Sequence, residues 1–428
     1  MGGAAVHASA AAVVMIERFC AGESDCEILD KCTALRRPQH PGDADFPARL
    51  PCYLDRSPMT RTSVSPPAIS LEVLPADYGD SLLVSCPVGD RVWRLLMDTG
   101  PDECWPRLRE RLSTIPPGHD GKRHIDLVVI SHIDHDHIGG ASLLFKDRSL
   151  GLSFGDVWFN APPTPASRGV AEGQSLATIL GGGDSHLPWN QAFKGKAAVV
   201  PIDPGFLEVP AQDGQPRITL LSPSPSNLKD LFKVWDQELM KLSRKEHNDL
   251  QLGTKGSEVP QALNPKVLAA KITAVDRSVP NGSSIAFLLE HGGASVLLGA
   301  DAFPTVLIPS LHALALHRKH PLPLKVDAFK LNHHGSRANV TVDLLKAVQA
   351  DHYIVSTNGA IFNHPDDEAV SRVVVHGGDK PTLWFNFDNE RNRRWSSTAL
   401  EQEYGYRVEF PAKERSGVQL ELGVIPRS

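Results

Sequence analysis

The sequence predicts an α/β fold, and three observations carry this prediction. Strand-like and helix-like stretches alternate from Ile69 onward, which is the pattern of a sheet covered by helices. The run Ile125–Ile130 is almost wholly apolar, as expected for a strand buried on both faces. With 41% hydrophobic and 22% charged residues, the 428-residue chain has enough apolar side chains for a sizeable core.

The predicted strands are short segments with turn signals between them. The first three are the stretches ISLEVLPA, SLLVSC and RVWRLLMDTG, which are separated at Asp77–Asp80 and at Gly89–Asp90. After the apolar strand, comparable short strands are predicted at Val296–Leu298, Val326–Leu331 and Tyr353–Val355. Each of these ends at polar residues, and ligands of α/β proteins bind near the carboxyl ends of strands.

A helix is predicted from Asn227 to about Glu246, inside an inserted helical segment near residues 225–265. Large apolar residues recur there at helical spacing: Leu228, Leu231, Trp235, Leu239 and Leu242. This pattern is typical of an amphipathic helix packed on the core, and the alternative is a helix that binds a protein partner. Loops are predicted at about 160–205, which is rich in Pro and Gly, and from His247 to about Pro265.

Residues 1–66 lack clear periodicity, and we expect them to be a poorly ordered extension before one large domain at 67–428. Met59 also makes a sensible translation start, which leaves open whether residues 1–58 exist in the native protein. Four of the six cysteines lie in the first 52 residues, and no two are spaced as C-x-x-C. Reduced thiols in a cytoplasmic protein are therefore expected.

Charge and hydropathy narrow the function classes. No run of about 18 apolar residues occurs, so no membrane-spanning segment is predicted. The net charge of −6 argues against a protein that coats nucleic acid by bulk charge, although an enzyme could bind it in a local basic groove. Two local groups of basic residues are candidates for such a groove: Arg391, Arg393 and Arg394 with Trp395, and Lys325, Lys330 and Arg337.

The segment SHIDHDHIGG at 131–140 is the strongest chemical signal in the chain. It places five potential metal ligands within six residues, in a turn after the buried strand: His132, Asp134, His135, Asp136 and His137. In an extended backbone His132 and Asp134 project to one side, whereas Asp136 and His137 follow the turn and can face a second ion. The His135 side chain is expected to face away. Imidazole with carboxylate suits Zn²⁺, Mn²⁺ or Fe.

This motif resembles the His-x-His-x-Asp-His signature of the metallo-β-lactamase fold superfamily. His132, Asp136 and His137 match the signature, and Asp134 replaces its second histidine. Together with H-H-G-S at 333–336, the form S-H-x-D-x-D-H-I-G-G resembles the ComEC-type branch, which includes the hydrolase domain of a bacterial DNA-uptake channel. The resemblance covers about Ile69 to Trp395, without the membrane channel, and implies a four-layer αββα sandwich.

The resemblance also implies further site residues. Asp301, at the end of the stretch LGAD, corresponds to an aspartate that bridges two metals, and Ala300 takes a glycine position there. His364 corresponds to the final metal-binding histidine. His333 and His334 match the H-H-G-S element, but the sequence does not show which of the two points into the site.

One departure concerns the first metal position. The superfamily usually supplies a further histidine between the motif and the bridging aspartate, but this chain has Leu220–Pro223 there. The position then holds only His132, Asp134 and Asp301, unless His333 or His334 completes it. We therefore predict one or two divalent ions, Zn or Mn, with weak occupancy of the first position.

These features predict a metal-dependent hydrolase in which Asp136 or Asp301 accepts the proton of an activated water. Residues around the H-H-G-S element are predicted to bind or protonate an anionic leaving oxygen: Lys330, His333, His334 and Ser336. The leading substrate is a phosphodiester of a nucleic acid or nucleotide. The alternatives are a lactone or thioester hydrolase and a catalytically weak metal-binding module that acts through a partner. A protein partner or a homo-oligomer stays open.

Overall fold

A computed structural model describes residues 67–162, 172–182, 187–249, 262–413 and 416–423. The chain divides into the units Met1–Thr62 and Ser63–Ser428, and the described residues belong to the second. The predicted extension at 1–66 and most of the loop predicted after His247 lie outside the described residues. Both therefore stay predictions.

The described strands form two mixed sheets. In chain order they are β1 Ile69–Val73, β2 Leu82–Val88, β3 Arg91–Met97, β4 Arg123–Val129, β5 Leu152–Trp158, β6 Leu207–Val209, β7 Arg217–Ser222, β8 Ala286–His291, β9 Ala294–Leu298, β10 Leu324–Lys330, β11 Val348–Val355, β12 Thr382–Phe385, β13 Arg407–Glu409 and β14 Val418–Leu422. The first sheet has the order β14-β1-β2-β3-β4-β5, and the second has the order β13-β12-β11-β10-β9-β8-β7-β6. Neighbours run parallel from β3 to β5 and from β9 to β13, and the other pairs are antiparallel.

Helices cover the outer faces of both sheets. The described α-helices are α1 Trp105–Ser113, α2 His135–Ile138, α3 Ala141–Lys146, α4 Glu172–Gly181, α5 Pro225–Asp249, α6 Pro265–Ala269, α7 Val279–Gly282, α8 Pro304–Arg318, α9 Val342–Ala347, α10 Asp367–His376, α11 Glu390–Arg393 and α12 Thr398–Tyr404. None of them combines the length and the apolar character that a membrane span requires.

Three buried apolar clusters separate four layers. The first lies between the sheets and includes Leu71, Leu95 and Phe287. The second joins the second sheet to α8, α9 and α10, and the third joins the first sheet to α1, α3, α4 and α5. These layers confirm the predicted α/β class and the αββα sandwich, because each sheet buries one face on the other sheet and one on helices.

The predicted strands and the long helix recur with small differences at their ends, but the loop predicted at about 160–205 contains the helix α4. β1 alternates buried and half-buried residues, and the apolar half of β4 is buried, as their sequence patterns predict. In α5, Leu228, Leu231 and Trp235 are buried in the third cluster, which confirms for these side chains that the helix packs on the core. The helix continues to Asp249, slightly beyond the predicted end.

The β1–β2 loop packs directly on the 131–140 segment. The backbone N–H of Asp80 donates to the carbonyl of Asp136 at 3.0 Å. A Cβ atom at Gly79 would lie 1.9 Å from that carbonyl oxygen, so only glycine permits this approach. The loop thereby places Asp80 beneath the motif.

Candidate metal centre

The candidate site lies where parallel strands of both sheets end. β4 leads into His132 and α2, β9 ends just before Asp301, and β10 leads into a short turn that carries His333 and His334. The carboxyl ends of parallel strands are where α/β folds bind ligands. The Asp301 carboxylate is buried at the centre of these segments.

Asp301 presents one oxygen to a first group of side chains, which consists of His132, Asp134 and His333. Its Oδ2 atom lies 3.9 Å from Nε2 of His132 and 3.7 Å from Nε2 of His333. Oδ2 of Asp134 lies 3.6 Å from Nε2 of His132. The first group thus holds a histidine at the position for which the sequence before Asp301 supplies none.

The other oxygen of Asp301 faces a second group, which consists of Asp136, His137 and His334. Oδ1 of Asp301 lies 3.5 Å from Nε2 of His137 and 4.0 Å from Nε2 of His334. Oδ2 of Asp136 lies 3.8 Å and 3.1 Å from the same two nitrogens. The two groups adjoin, because the ring centroids of His132 and His137 are 4.2 Å apart.

These spacings fit metal ligation. Ligands about 2.1 Å from a tetrahedral ion lie about 3.4 Å from one another, and the donor atoms given above for each group are 3.1–4.0 Å apart. Nε2 of His132, Nε2 of His137 and Oδ1 of Asp301 are buried without a hydrogen-bond partner in the described structure. Since such atoms are costly to bury, a divalent cation is the partner that this donor set fits.

The histidines of both groups turn Nε2 towards Asp301, while a neighbouring acceptor holds each Nδ1. An outer contact of this kind fixes the tautomer whose lone pair lies on Nε2, the atom that would bind a metal. The acceptors are Ser131 Oγ at 3.0 Å from His132, Asp98 Oδ2 at 2.9 Å from His137, the Ser356 carbonyl at 2.8 Å from His334 and Asn339 Oδ1 at 3.1 Å from His333.

One comparison with known protein families matches the part of the chain that contains the motif. Residues 94–219, which contain β3, β4 and the 131–140 segment, match the model of the metallo-beta-lactamase superfamily. The match and the two helix-covered sheets show a metallo-β-lactamase fold. No curated protein matches it by sequence.

Two solved structures resemble this metallo-β-lactamase fold protein at low identity. The metallo-beta-lactamase fold protein YhfI from Bacillus subtilis shares 11% identity at a TM-score of 0.34, over 82% of this chain and 99% of its own. CmlA, a diiron beta-hydroxylase from Streptomyces venezuelae, shares 14% identity at a TM-score of 0.34, over 83% of this chain and 54% of its own. None of these matches is specific to the ComEC-type branch.

Two carboxylates that the sequence did not single out lie beside the candidate site. Asp80 forms a buried set with His137, Asp301 and His334, whose ligand atoms all lie within 4.8 Å of one another. Asp276 lies beside His333, with Oδ2 3.4 Å from Nδ1. Asp80 follows a stretch that reads only as a turn, and Asp276 lies in a loop between α6 and α7, so neither had a motif to mark it.

The carboxylates and imidazoles shift one another's pKa. Although burial disfavours the charged imidazolium, Asp301 and Asp276 raise the pKa of His333 to about 9. Burial also opposes the shift at Asp301, but His333 and His137 hold its pKa well below the usual range. Without a metal the cluster therefore binds protons, and metal binding would release them.

Three predicted site residues lie at the edge of the two groups or below them. Lys330 is buried beneath the site, where it forms an ion pair with Asp80. This contact replaces its predicted role of binding a leaving oxygen. Oγ of Ser336 accepts the Ala338 N–H at 3.3 Å and supports the local turn. The His364 ring lies 5.2 Å from that of His333, and none of its described contacts reaches Asp301. Its metal role stays a prediction.

The two basic groups predicted from the sequence are not free basic patches. Trp395 is fully buried, while Arg393 pairs with Asp388 and Arg394 with Asp367. Lys325 lies at the start of β10, at the opposite end of that strand from the site. The physical reason is that acidic residues pair with the two arginines and that the core buries the tryptophan.

His135 faces away from the two groups, as expected. Its Nε2 lies 3.5 Å from Asp102 and 3.6 Å from Glu103, and both carboxylates are exposed. An exposed acidic pair of this kind is common without a bound ion. His135 therefore provides a matched control, because it lies in the same motif but outside the buried centre.

We expect the two groups to bind ions with different affinity. The Asp134 and His333 side chains are 26% and 24% exposed, whereas those of the second group are at most 11% exposed. The first group should therefore exchange its ion more readily, which retains the predicted weak occupancy although His333 completes the group. Calorimetric titration with Zn²⁺ should show two sites. His333→Ala should remove the weaker site, and His334→Ala the tighter one. Equal loss of both sites in both variants would contradict this assignment.

Proposed function

We propose that the protein is a metal-dependent hydrolase that cleaves phosphodiester bonds in a nucleic acid or nucleotide. The observation that carries the proposal is the Asp301 carboxylate, which is shared by two groups of ligand atoms, some of them buried and unpaired. Three aspartates and four histidines form a donor set that suits Zn²⁺ or Mn²⁺. The proposal also includes a relationship of this chain to the ComEC-type branch of metallo-β-lactamase fold hydrolases.

Divalent ions held by the two groups would supply positive charge at the attacked centre and acidify a water molecule. The chain's own residues prepare that chemistry. Asp98, Ser131 and the Ser356 carbonyl fix the imidazoles that face the centre. Burial would raise the pKa of Asp136 and Asp301, but neighbouring histidines lower the pKa of both, so the two carboxylates stay ionised and available to hold a cation. The proposed role of either one as proton acceptor is part of this proposal.

Exposed cations next to the site support an anionic substrate. Lys271 and Arg337 line a cleft beside His364 with their charged ends half exposed. Arg337 belongs to a basic group predicted from the sequence, whereas Lys271 was not among the predicted residues. The net charge of −6 indicates that substrate recognition is local rather than a long electrostatic footprint. Because a fold does not determine function, lactone and thioester hydrolysis and a weak metal-binding module remain the alternatives to be tested.

A substrate panel tests this proposal. The purified protein with Mn²⁺ or Zn²⁺ is incubated with bis-p-nitrophenyl phosphate, single-stranded DNA, RNA and a lactone. We expect turnover of the diesters and little turnover of the lactone. Asp136→Ala should lower diester hydrolysis by about two orders of magnitude or more, because several kcal/mol of charge stabilisation depend on the ligand set. His135→Ala, from the same motif, should keep the wild-type rate.

The panel has clear contrary outcomes. Turnover of the lactone alone would replace the proposal by the carbonyl hydrolase. Metal binding without turnover of any substrate would support the metal-binding module. Equal losses in Asp136→Ala and His135→Ala would show that the motif acts through folding and not through the buried centre.

A further inference from the structure

A cleft opens beside the candidate metal centre and is not part of the two ligand groups. It encloses about 520 Å³ and is lined by Lys271–Val275, by Ser336–Ala338 and by Phe362, His364, Asp366 and Glu368. This volume lies within the range of about 300–1,000 Å³ that small-molecule sites occupy. His364 belongs to its wall, and the His364 ring lies 5.2 Å from that of His333 in the first group. We call this space the lateral cleft.

The lateral cleft has a mixed lining that includes three exposed apolar side chains. Three of the ten exposed large apolar side chains among the described residues line it, namely Ile272, Val275 and Phe362. Ile272 is fully exposed, and Phe362 retains 36% exposure. Apolar side chains concentrated in one concave surface indicate a site for an apolar or aromatic group of a ligand.

A series of ring contacts leads from the lateral cleft to the metal centre. The Phe362 ring lies 6.3 Å from the His364 ring in a stacked orientation and 6.1 Å from Tyr78 in an edge orientation. The His364 ring in turn contacts His333 of the first group at 5.2 Å. A planar group bound on Phe362 would therefore be connected to His333 of the first group through the His364 ring.

The solvent-facing charge of the lateral cleft is positive. Lys271 and Arg337 are 51% and 55% exposed, whereas Glu368, which contacts both, is 11% exposed. Asp366 is also largely covered and accepts the backbone N–H of Arg337 at 2.8 Å. A ligand in the cleft thus meets two cationic ends, while the carboxylates stay behind them.

We propose that the lateral cleft binds one nucleotide of the substrate, with its base stacked on Phe362 and its flanking phosphate near Lys271 and Arg337. This inference rests on the proposed phosphodiesterase function and names its substrate class. A planar base fits an aromatic ring and apolar side chains, and its attached phosphate fits adjacent cations. A simple acyl chain would use the apolar side chains but would bring no anionic group to Lys271 and Arg337, whose acidic contact is the largely covered Glu368.

Matched diesters test the lateral cleft. The substrates are the dinucleotide of two thymidines and two analogues that each lack one base. We expect Phe362→Ala to raise KM for the dinucleotide between about fivefold and a hundredfold, the range expected for loss of one base–aromatic stack. The analogue that lacks the stacked base should already have a raised KM and should change less than twofold on substitution. Phe362→Leu should resemble Phe362→Ala, because it keeps an apolar side chain but no ring.

A binding measurement separates failure of this inference from failure of the proposed function. Calorimetry should show thymidine 5′-monophosphate binding more tightly than deoxyribose 5-phosphate, and Phe362→Ala should abolish the difference. Leu316→Ala, which removes an exposed apolar side chain from α8, should preserve it. No diester turnover with this binding difference retained would overturn the function and not the cleft. Equal binding of both phosphates, or full recovery in Phe362→Leu, would overturn the stacking inference.

Calorimetry also distinguishes whether the cleft binds a nucleotide within a nucleic-acid strand or a free nucleotide. A single-stranded thymidine decamer that binds more tightly than the dinucleotide would assign the cleft to a nucleic-acid strand. Equal affinity would assign it to free nucleotides. In both cases the Phe362→Ala loss supports the subsite, and its absence contradicts it.

Discussion

Asp301→Asn is expected to lower kcat/KM for diester hydrolysis by about 10³-fold or more, with the protein still folded. The reason is that each oxygen of this carboxylate faces a different ligand group, so one substitution weakens both candidate ion positions. Metal analysis of the dialysed variant should find less than one ion per chain. The kinetic loss should appear mainly in kcat, because charge stabilisation at the reacting centre is removed.

The matched control is Asp102→Asn, which changes an exposed carboxylate beside the same motif. It should retain metal content and activity near those of the wild type. Circular dichroism and thermal unfolding of both variants establish that a loss does not come from misfolding. A rate for Asp301→Asn within tenfold of the wild type would contradict the shared role of this residue.

The strands and the primary motif were predictable because their signals are local. An apolar run such as Ile125–Ile130 specifies a buried strand, and the ligand-rich turn after it needs only the next few residues. His132, Asp134, Asp136 and His137 consequently meet in the structure as their alternation suggested. Their metal roles stay a prediction until ions are measured.

The sequence could not predict which ligand group each of His333 and His334 faces. Both residues adopt left-handed backbone conformations, with φ of 49° and 51°, which non-glycine residues rarely do. This unusual turn points both imidazoles at Asp301, one towards each oxygen. Residues held in such conformations cost about 1–3 kcal/mol each and persist where the surrounding structure requires them. Sequence spacing alone contains no sign of this turn.

The sequence also could not predict the carboxylates that contact the histidines of the site from outside the two ligand groups. Asp80 and Asp276 lie far along the chain from the histidines that they contact, and each occurs in an ordinary loop. Their roles come from burial and long-range packing, which a single sequence does not display. Arg393 and Arg394 form a basic run in the sequence, but in the structure Arg393 pairs with the nearby Asp388 and Arg394 with Asp367.

Lys330→Met is expected to destabilise the protein by about 3–5 kcal/mol, because it leaves the buried Asp80 carboxylate without its cation. Burial alone would raise the pKa of Asp80, but Lys330 and His334 hold it below the usual range in the intact site. The intact ion pair therefore stabilises the folded protein at pH values above the ordinary pKa of a carboxyl group. This stabilisation is lost as the pH falls towards the lowered pKa of Asp80. Urea unfolding of the chelator-treated protein at pH 7 measures the difference.

The pH dependence and a double variant identify the cause. In Lys330→Met the pKa of Asp80 should rise, so the carboxyl becomes neutral sooner and the deficit relative to the wild type should shrink as the pH is lowered. Asp80→Asn combined with Lys330→Met should recover much of the lost stability, because no charge then stays buried and unpaired. Lys325→Met, on the exposed start of the same strand, should change stability by about 0.5 kcal/mol or less. If the double variant is no more stable than Lys330→Met, the loss comes from packing of the lysine stem rather than from the ion pair, and Lys330 supports the metal centre by shape alone.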